Sequence, residues 1–236
     1  MHSLLSLPSP LPDGEEWKWL ARDGAYARIY HRDYYTRSAT HRRDYGPLAR
    51  FDHHTPPATA AAVCPKGRSV TYIAETVRAA ASEVFSATEV FGVCPNWRLA
   101  WLKTSATMTL QNLVGTGAMA LRTKPSLGSG AEVAREDSQE QARRIYSEHG
   151  HLAGIRYTGS HEEGRCLVLW DRAPDLVVVE DGEIDCDASI AEDDETWAEV
   201  IEAYAPTGFM LERIPESECG YCREAAEAAE AATARA

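Results

Sequence analysis

Three groups of side chains in this sequence are of types that could do chemistry. Lys18 to Arg50 carries eight basic residues against three carboxylates, Asp23, Asp33 and Asp44. This segment is the candidate anion site, because a guanidinium fork matches phosphate oxygens bidentately and stays charged. Arg28 and Arg50 are its members of interest, with surface solvation or structural ion pairing as the plain alternative for each. Glu83 flanks an apolar helical stripe, Tyr72 lies eleven residues earlier on a β-branched run, and Ser160 follows an expected strand end. A carboxylate can stabilise developing positive charge, an aromatic face can stack on a flat ring, and a hydroxyl can bind sugar or phosphate. The same three would otherwise be a helix-surface glutamate, a half-buried core tyrosine and an inert loop serine. The third group consists of metal-type ligands. His53 and His54 are neighbours, and adjacent strand positions face opposite ways, so a solvated or structural role is expected. Cys219-x-x-Cys222 is a lone pair of thiols with no second pair at zinc spacing, so no metal site is expected. There is no G-x-G-x-x-G and no G-x-x-x-x-G-K, which leaves Rossmann and P-loop nucleotide binding unsupported.

The elements that must position these groups are those of one main domain. A chain of 236 residues that is 44% hydrophobic can build a proper core, and no repeat or Gly/Ser linker divides it. Arg68 to Ala74 is β-branched and aromatic, which predicts a strand, and Thr76 to Phe85 changes to helical spacing with Val77, Ala80, Ala81 and Val84 apolar. A second helix is expected to start at Ser138 as N-cap, with Gln141 reaching back, and to stop before Gly150. Strands are expected at Gly154–Tyr157, Cys166–Trp170 and Leu176–Val179. Trp197, Val200, Ile201 and Tyr204 mark one face of a short amphipathic helix. Thr55 to Pro65 and the tail Arg223 to Ala236 read as peripheral. Strand–helix, helix, then several strands is a mixed order, which favours α+β over a doubly wound sheet.

Charge and composition exclude several classes. The net charge is −12, and Glu180 to Glu202 holds eleven carboxylates with no Lys or Arg, an anionic edge that would repel nucleic acid. A solvated face is the expected role of that run. Met1 to Pro12 lacks a basic start and is broken by Pro8, Pro10 and Pro12, no apolar run reaches the roughly 18 residues of a membrane span, and the six cysteines are scattered. A cytoplasmic protein with reduced thiols and no membrane association is the expectation.

Four blocks in order carry a family resemblance: Ala27-Arg28-Ile29-Tyr30; Arg50-Phe51-Asp52; Val70-Thr71-Tyr72-Ile73-Ala74 leading to Glu83-Val84-Phe85; and Gly154-Ile155-Arg156-Tyr157-Thr158-Gly159-Ser160. The ordered set resembles the RES domain family, named for its Arg, Glu and Ser. Gln139, Ala142, Arg143, Ile145 and Tyr146 resemble the helix before the serine block, and Leu167 to Trp170 the strand after it. Two features depart from the family pattern, a long Ala/Pro-rich insertion between Arg50 and Tyr72, and Asp52 where Asn is common.

The resemblance, which covers about Tyr26 to Val179, implies an ADP-ribosyltransferase-like α+β domain with split mixed sheets. The expected division of the chain is an extension at 1–25, the catalytic domain at 26–205 and a partly helical or disordered tail at 206–236. The resemblance implies an enzyme with NAD⁺ as substrate, no resident cofactor, inorganic phosphate or water as acceptor, and an Xre-type antitoxin as partner of a bacterial toxin. The alternatives are ADP-ribose transfer to a macromolecule and a non-catalytic module that binds a nucleotide or a partner. In the catalytic reading Glu83 stabilises the ribose cation, Arg28 and Arg50 hold the pyrophosphate, Tyr72 stacks on nicotinamide, and Ser160 binds ribose or phosphate. The leaving pyridinium departs neutral and needs no strong acid, so the barrier lies in an oxocarbenium-like ribose.

Overall fold

In the computed structural model the described residues are 18–21, 24–55, 61–86, 88–115, 117–121, 135–159, 164–180 and 186–233. Thirteen strands lie among them: β1 (Lys18–Ala21), β2 (Tyr26–His31), β3 (Tyr45–Gly46), β4 (Ala62–Val63), β5 (Val70–Ala74), β6 (Val90–Val93), β7 (Trp97–Thr104), β8 (Met108–Asn112), β9 (Gly154–Thr158), β10 (Arg165–Trp170), β11 (Leu176–Val178), β12 (Asp187–Ser189) and β13 (Met210–Arg213). The helices are α1 (Val77–Phe85), α2 (Gly117–Ala120), α3 (Arg135–Glu148), α4 (Asp194–Tyr204) and α5 (Gly220–Thr233). Helices and a mixed sheet occur together without strict alternation, so the fold is α+β.

The main sheet runs β1-β8-β9-β10-β5-β2-β7-β11, with β12 also on β7. At its middle β2 pairs antiparallel with β7 along its whole length, from Tyr26↔Leu102 to His31↔Trp97. Against β5 it holds a single register pair, Ala27↔Ala74. Beyond that pair the two strands part, and Arg43 takes the place beside β5 in a bridge to Val70. The sheet is therefore split between β2 and β5, and α1 lies over the split.

Strand alternation sorts the core into two faces. Ala27, Ile29, Val70, Ala74, Tyr157, Val168 and Trp170 share the core on the α1 face with Ala80 and Phe85. Tyr26, Tyr30, Ile73, Ala100, Leu102, Leu167 and Leu169 form the core on the other. Both faces of β2 and β10 are covered, which explains their near-continuous burial.

α1 begins where its sequence says it should, with the Thr76 side chain accepting from Ala79 N at 3.2 Å. α3 does not. It is helical from Arg135, a turn before the expected cap, so Ser138 is an interior residue, fully buried, and its hydroxyl has no hydrogen-bond partner among the described residues. Glu136 and Asp137 supply the acidic first turn instead. α4 is capped by Asp193, which accepts from Thr196 N at 2.7 Å. Past residue 205 the chain continues as β13, parallel to β6, and then α5. Of the Thr55 to Pro65 insertion, 56–60 lie outside the described residues, and β4 pairs with β3. Among the described residues no helix is long and apolar enough to cross a membrane.

Candidate active site

Glu83 projects from α1 towards β9, with its side chain 22% exposed. One carboxylate oxygen, Oε2, accepts from the Tyr157 hydroxyl at 3.1 Å, and the other, Oε1, is 3.3 Å from Arg50 Nη2. Burial, and then the nearby Glu83 charge, push the Tyr157 hydroxyl far above the ordinary tyrosine range, so it stays a proton donor to the carboxylate. The Arg50 guanidinium lies over the ring of Tyr157 at 5.0 Å and over that of Phe51 at 5.6 Å. Its second nitrogen, Nη1, is buried with no hydrogen-bond partner among the described residues. Gly159 follows β9 beside this group. A Cβ there would sit 3.0 Å from Cys166 Sγ, a tight approach, and in ordinary contact with Glu83 Oε1 at 3.4 Å.

Arg50 is aimed at Glu83 because the loop carrying it is tied down on every side. Asp52 is fully buried and accepts from both Leu48 N (2.6 Å) and Ala49 N (3.1 Å), from the Tyr72 hydroxyl (2.8 Å) and from Arg43 Nη2 (2.8 Å). Burial alone would raise its pKa, but the Arg43 charge and these donors hold it below the carboxylate range. A carboxylate rather than an amide at this position thus has a reason, since Arg43 supplies the countercharge. Phe51 N donates to the Tyr72 oxygen at 3.2 Å, and Gln139 of α3 holds Ala49 O at 3.0 Å. One residue further on, His53 Nε2 meets Asp171 Oδ1 at 2.9 Å, and Tyr146 donates to Oδ2 of the same carboxylate at 2.9 Å.

The structure thus brings together Glu83, Arg50 and Tyr72, whose ring lines a slot of about 30 Å³ with Glu83, Val84, Tyr157 and Cys166. Tyr72 has committed its hydroxyl to Asp52 and Phe51, so only its ring is available. Arg28 also contributes to the lining of this slot, while on β2 it alternates with Ala27 and Ile29, and its Nη1 donates to the carbonyls of Ala39 and His41. Burial lowers its pKa to about 10, which still leaves it a cation at neutral pH. Ser160 lies outside the described residues. Tyr157, quoted in the serine block but assigned no role, is the site residue that sequence reasoning missed, and period-two alternation from Ile155 was the signal available.

A cavity of about 520 Å³ lies apart from this chemistry, lined by Arg32, Tyr34, Tyr35, Arg37, His41 and Tyr45, among others. At Glu83, by contrast, a held carboxylate, a guanidinium and an aromatic face converge. The cavity belongs to the loop that Arg28 tethers, and Arg32 and Arg37 come from the basic segment.

Of the solvated and structural roles expected for His53 and His54, the structure gives the structural one: both are fully buried, and burial pushes both below the ordinary histidine range, His53 to about 4. One expectation is corrected. Cys219 and Cys222 are not a lone pair, because folding brings Cys94 and His31 against them. Within the acidic run, Asp187 is no solvated group either: it accepts from Tyr30 and Arg98 at 3.0 Å each.

Comparison with curated proteins and with solved structures gave no match. A family model described as the RES domain matches residues 25–191, spanning every element of the Glu83 site, and the chain therefore belongs to the RES domain family, at family level an NAD-related, toxin-like domain that is generally enzymatic.

Proposed function

We propose that the protein cleaves the nicotinamide–ribose bond of NAD⁺ at Glu83. The observation that carries this reading is the pairing of Glu83 with Arg50 and Tyr157: a carboxylate fixed by two donors beside an aromatic face, next to a guanidinium nitrogen that lacks an acceptor. In this reading Glu83 takes the ribose 2′-hydroxyl and stabilises the oxocarbenium-like cation as the C1″–N bond breaks and its electron pair leaves with nicotinamide. A phosphate oxygen, or the oxygen of a water that releases a proton to solvent, then bonds to C1″. The ring of Tyr72 packs on the departing base. Arg50 transfers its fork from Glu83 to pyrophosphate oxygens when substrate enters, which frees the carboxylate for the sugar. Arg28 acts through the 39–41 loop it tethers.

The family membership further supports a toxin kept inactive by an Xre-type antitoxin. Such a partner would cover the site through an interface of about 1,200–2,000 Å². One observation favours a second reading, a non-catalytic nucleotide- or partner-binding module: the slot at Glu83, at about 30 Å³, holds roughly one water molecule, so turnover requires it to widen.

The test is release of free nicotinamide from NAD⁺, followed in phosphate and in an inert buffer. Faster release with phosphate marks a phosphorylase, equal rates mark a glycohydrolase, and no release in either supports the binding module.

A further inference from the structure

We propose that His31, Cys94, Cys219 and Cys222 form a structural zinc site. The four come from three distant parts of the chain: the end of β2, the turn between β6 and β7, and the start of α5. Their ligand atoms all lie within 4.8 Å of one another. His31 Nε2 is 3.4 Å from Cys94 Sγ, 3.4 Å from Cys222 Sγ and 3.7 Å from Cys219 Sγ, and Cys94 Sγ is 3.6 Å from Cys222 Sγ. Tetrahedral zinc with Zn–S of about 2.3 Å and Zn–N of about 2.0–2.1 Å requires S···S edges of about 3.8 Å and N···S edges of about 3.6 Å. These four edges agree with the ideal values within about 0.2 Å, and the other two, from Cys219 Sγ to Cys94 Sγ and to Cys222 Sγ, lie within 4.8 Å.

Other arrangements account for the cluster less well. A disulfide requires sulfurs about 2.05 Å apart, and all three cysteines are free. In a hydrogen-bonded thiol cluster one ring nitrogen would select one sulfur, whereas here it stands almost equally close to three. The surroundings suit a closed metal site. His31, Cys94 and Cys219 are buried, Trp97 meets the His31 ring edge-on at 5.1 Å, and Tyr221 lies 5.7 Å from it. Asn96 Nδ2 donates to Cys222 Sγ at 3.5 Å, an outer contact of the kind that steadies a metal-bound thiolate. Four protein ligands leave no open position, so the site would be structural rather than catalytic. The ring's other nitrogen, Nδ1, is approached by Asp33 N at 3.4 Å, a long contact that matches the metal-free tautomer. On metallation Nδ1 carries the proton and that contact opens.

The position gives the ion a purpose independent of the reaction at Glu83. Ile214 N bonds to Val93 O at 3.1 Å and β13 lies along β6, so the segment from 210 onwards is already docked against the turn that carries Cys94. The metal would clamp that segment to β2. His31 also opens the 32–45 loop, whose Ala39 and His41 carbonyls are held by Arg28.

The experiment is metal analysis of the purified full-length chain. One zinc per chain is expected, lost in Cys94→Ala and in Cys219→Ser and retained in Cys64→Ser, whose thiol lies outside the cluster. Exchange with cobalt should give thiolate-to-cobalt charge transfer and the strong d–d absorption of a tetrahedral site. Should the variants fail to fold, titrating the parent with a thiol-modifying reagent beside a chromogenic chelator should release zinc as cysteines are modified. The proposal is overturned by a folded, metal-free protein whose Tm is unmoved by zinc or chelator, by a disulfide among these cysteines, or by zinc that persists in both cluster variants.

Discussion

Tyr157 on β9 donates its hydroxyl to Glu83 Oε2 on α1 across 3.1 Å, joining residues 74 positions apart. A hydrogen bond to a charged group contributes about 1.5–3 kcal/mol. Tyr157→Phe keeps the ring against Phe51 and Arg50 but removes this donor. We expect kcat for nicotinamide release to fall about 10- to 100-fold with KM within several-fold, because the bond orients the carboxylate more than it binds substrate. An unchanged kcat would show that Glu83 does not depend on Tyr157 for its orientation.

The two arginines should separate. Arg50→Lys keeps the charge but loses the fork, so KM for NAD⁺ should rise about tenfold or more, the cost of one charge-assisted contact, with little change in Tm. Arg28→Ala should instead lower Tm, because two loop carbonyls lose a buried donor, at about 1–3 kcal/mol. Thermal unfolding alongside steady-state kinetics checks both. A raised KM with parental Tm in Arg28→Ala would place that guanidinium on the substrate after all.

Local chemistry was readable where the signal was local. The helix over Thr76 to Phe85 and Glu83 on its flank follow from helical spacing, and β10 shows as a continuous apolar run. β7 was harder, since Arg98 and Lys103 interrupt its apolar residues, although it pairs with β2, β11 and β12. The start of α3 was misplaced because Ser138, which has the form of a cap, is buried inside the helix. Relationships set by tertiary packing left no trace in spacing: Arg50 on Glu83, Asp52 neutralised by Arg43, and His31 beside Cys94, Cys219 and Cys222. The face of Arg28 was legible in principle, because on a strand it must share a side with Tyr26 and Tyr30.

Acid should destabilise the fold through His53. Burial lowers its pKa to about 4 although the Asp171 carboxylate opposes the shift, and His54 and Arg68 add to the lowering. The folded pKa lies below the unfolded value, so the unfolded chain binds the proton first. Stability is therefore full above about pH 6.5 and declines as pH falls towards 4, by about 2–4 kcal/mol from this residue. Asp171, held at about 2 by its donors from His53 and Tyr146 against the opposing effect of burial, adds a loss only as pH falls below its ordinary range towards 2. Chemical denaturation between pH 4 and 7 should show a shallower pH slope for His53→Gln than for the parent. Superimposable slopes would mean that His53 takes up its proton without cost in the folded state.

Expression in a bacterial host should slow growth while cellular NAD⁺ falls, and co-expression of the cognate antitoxin should restore both. Normal growth with unchanged NAD⁺ at high soluble expression would contradict the toxin reading.

The central claim rests on the charge of Glu83, and the most direct measurement is nicotinamide release from NAD⁺ by Glu83→Gln beside the parent. The amide nearly preserves shape while removing the negative charge that the ribose cation requires. We predict a folded protein whose kcat is lower by at least about 10²–10³, with NAD⁺ affinity within several-fold. A folded Glu83→Gln protein that turns over NAD⁺ within threefold of the parent would contradict the account.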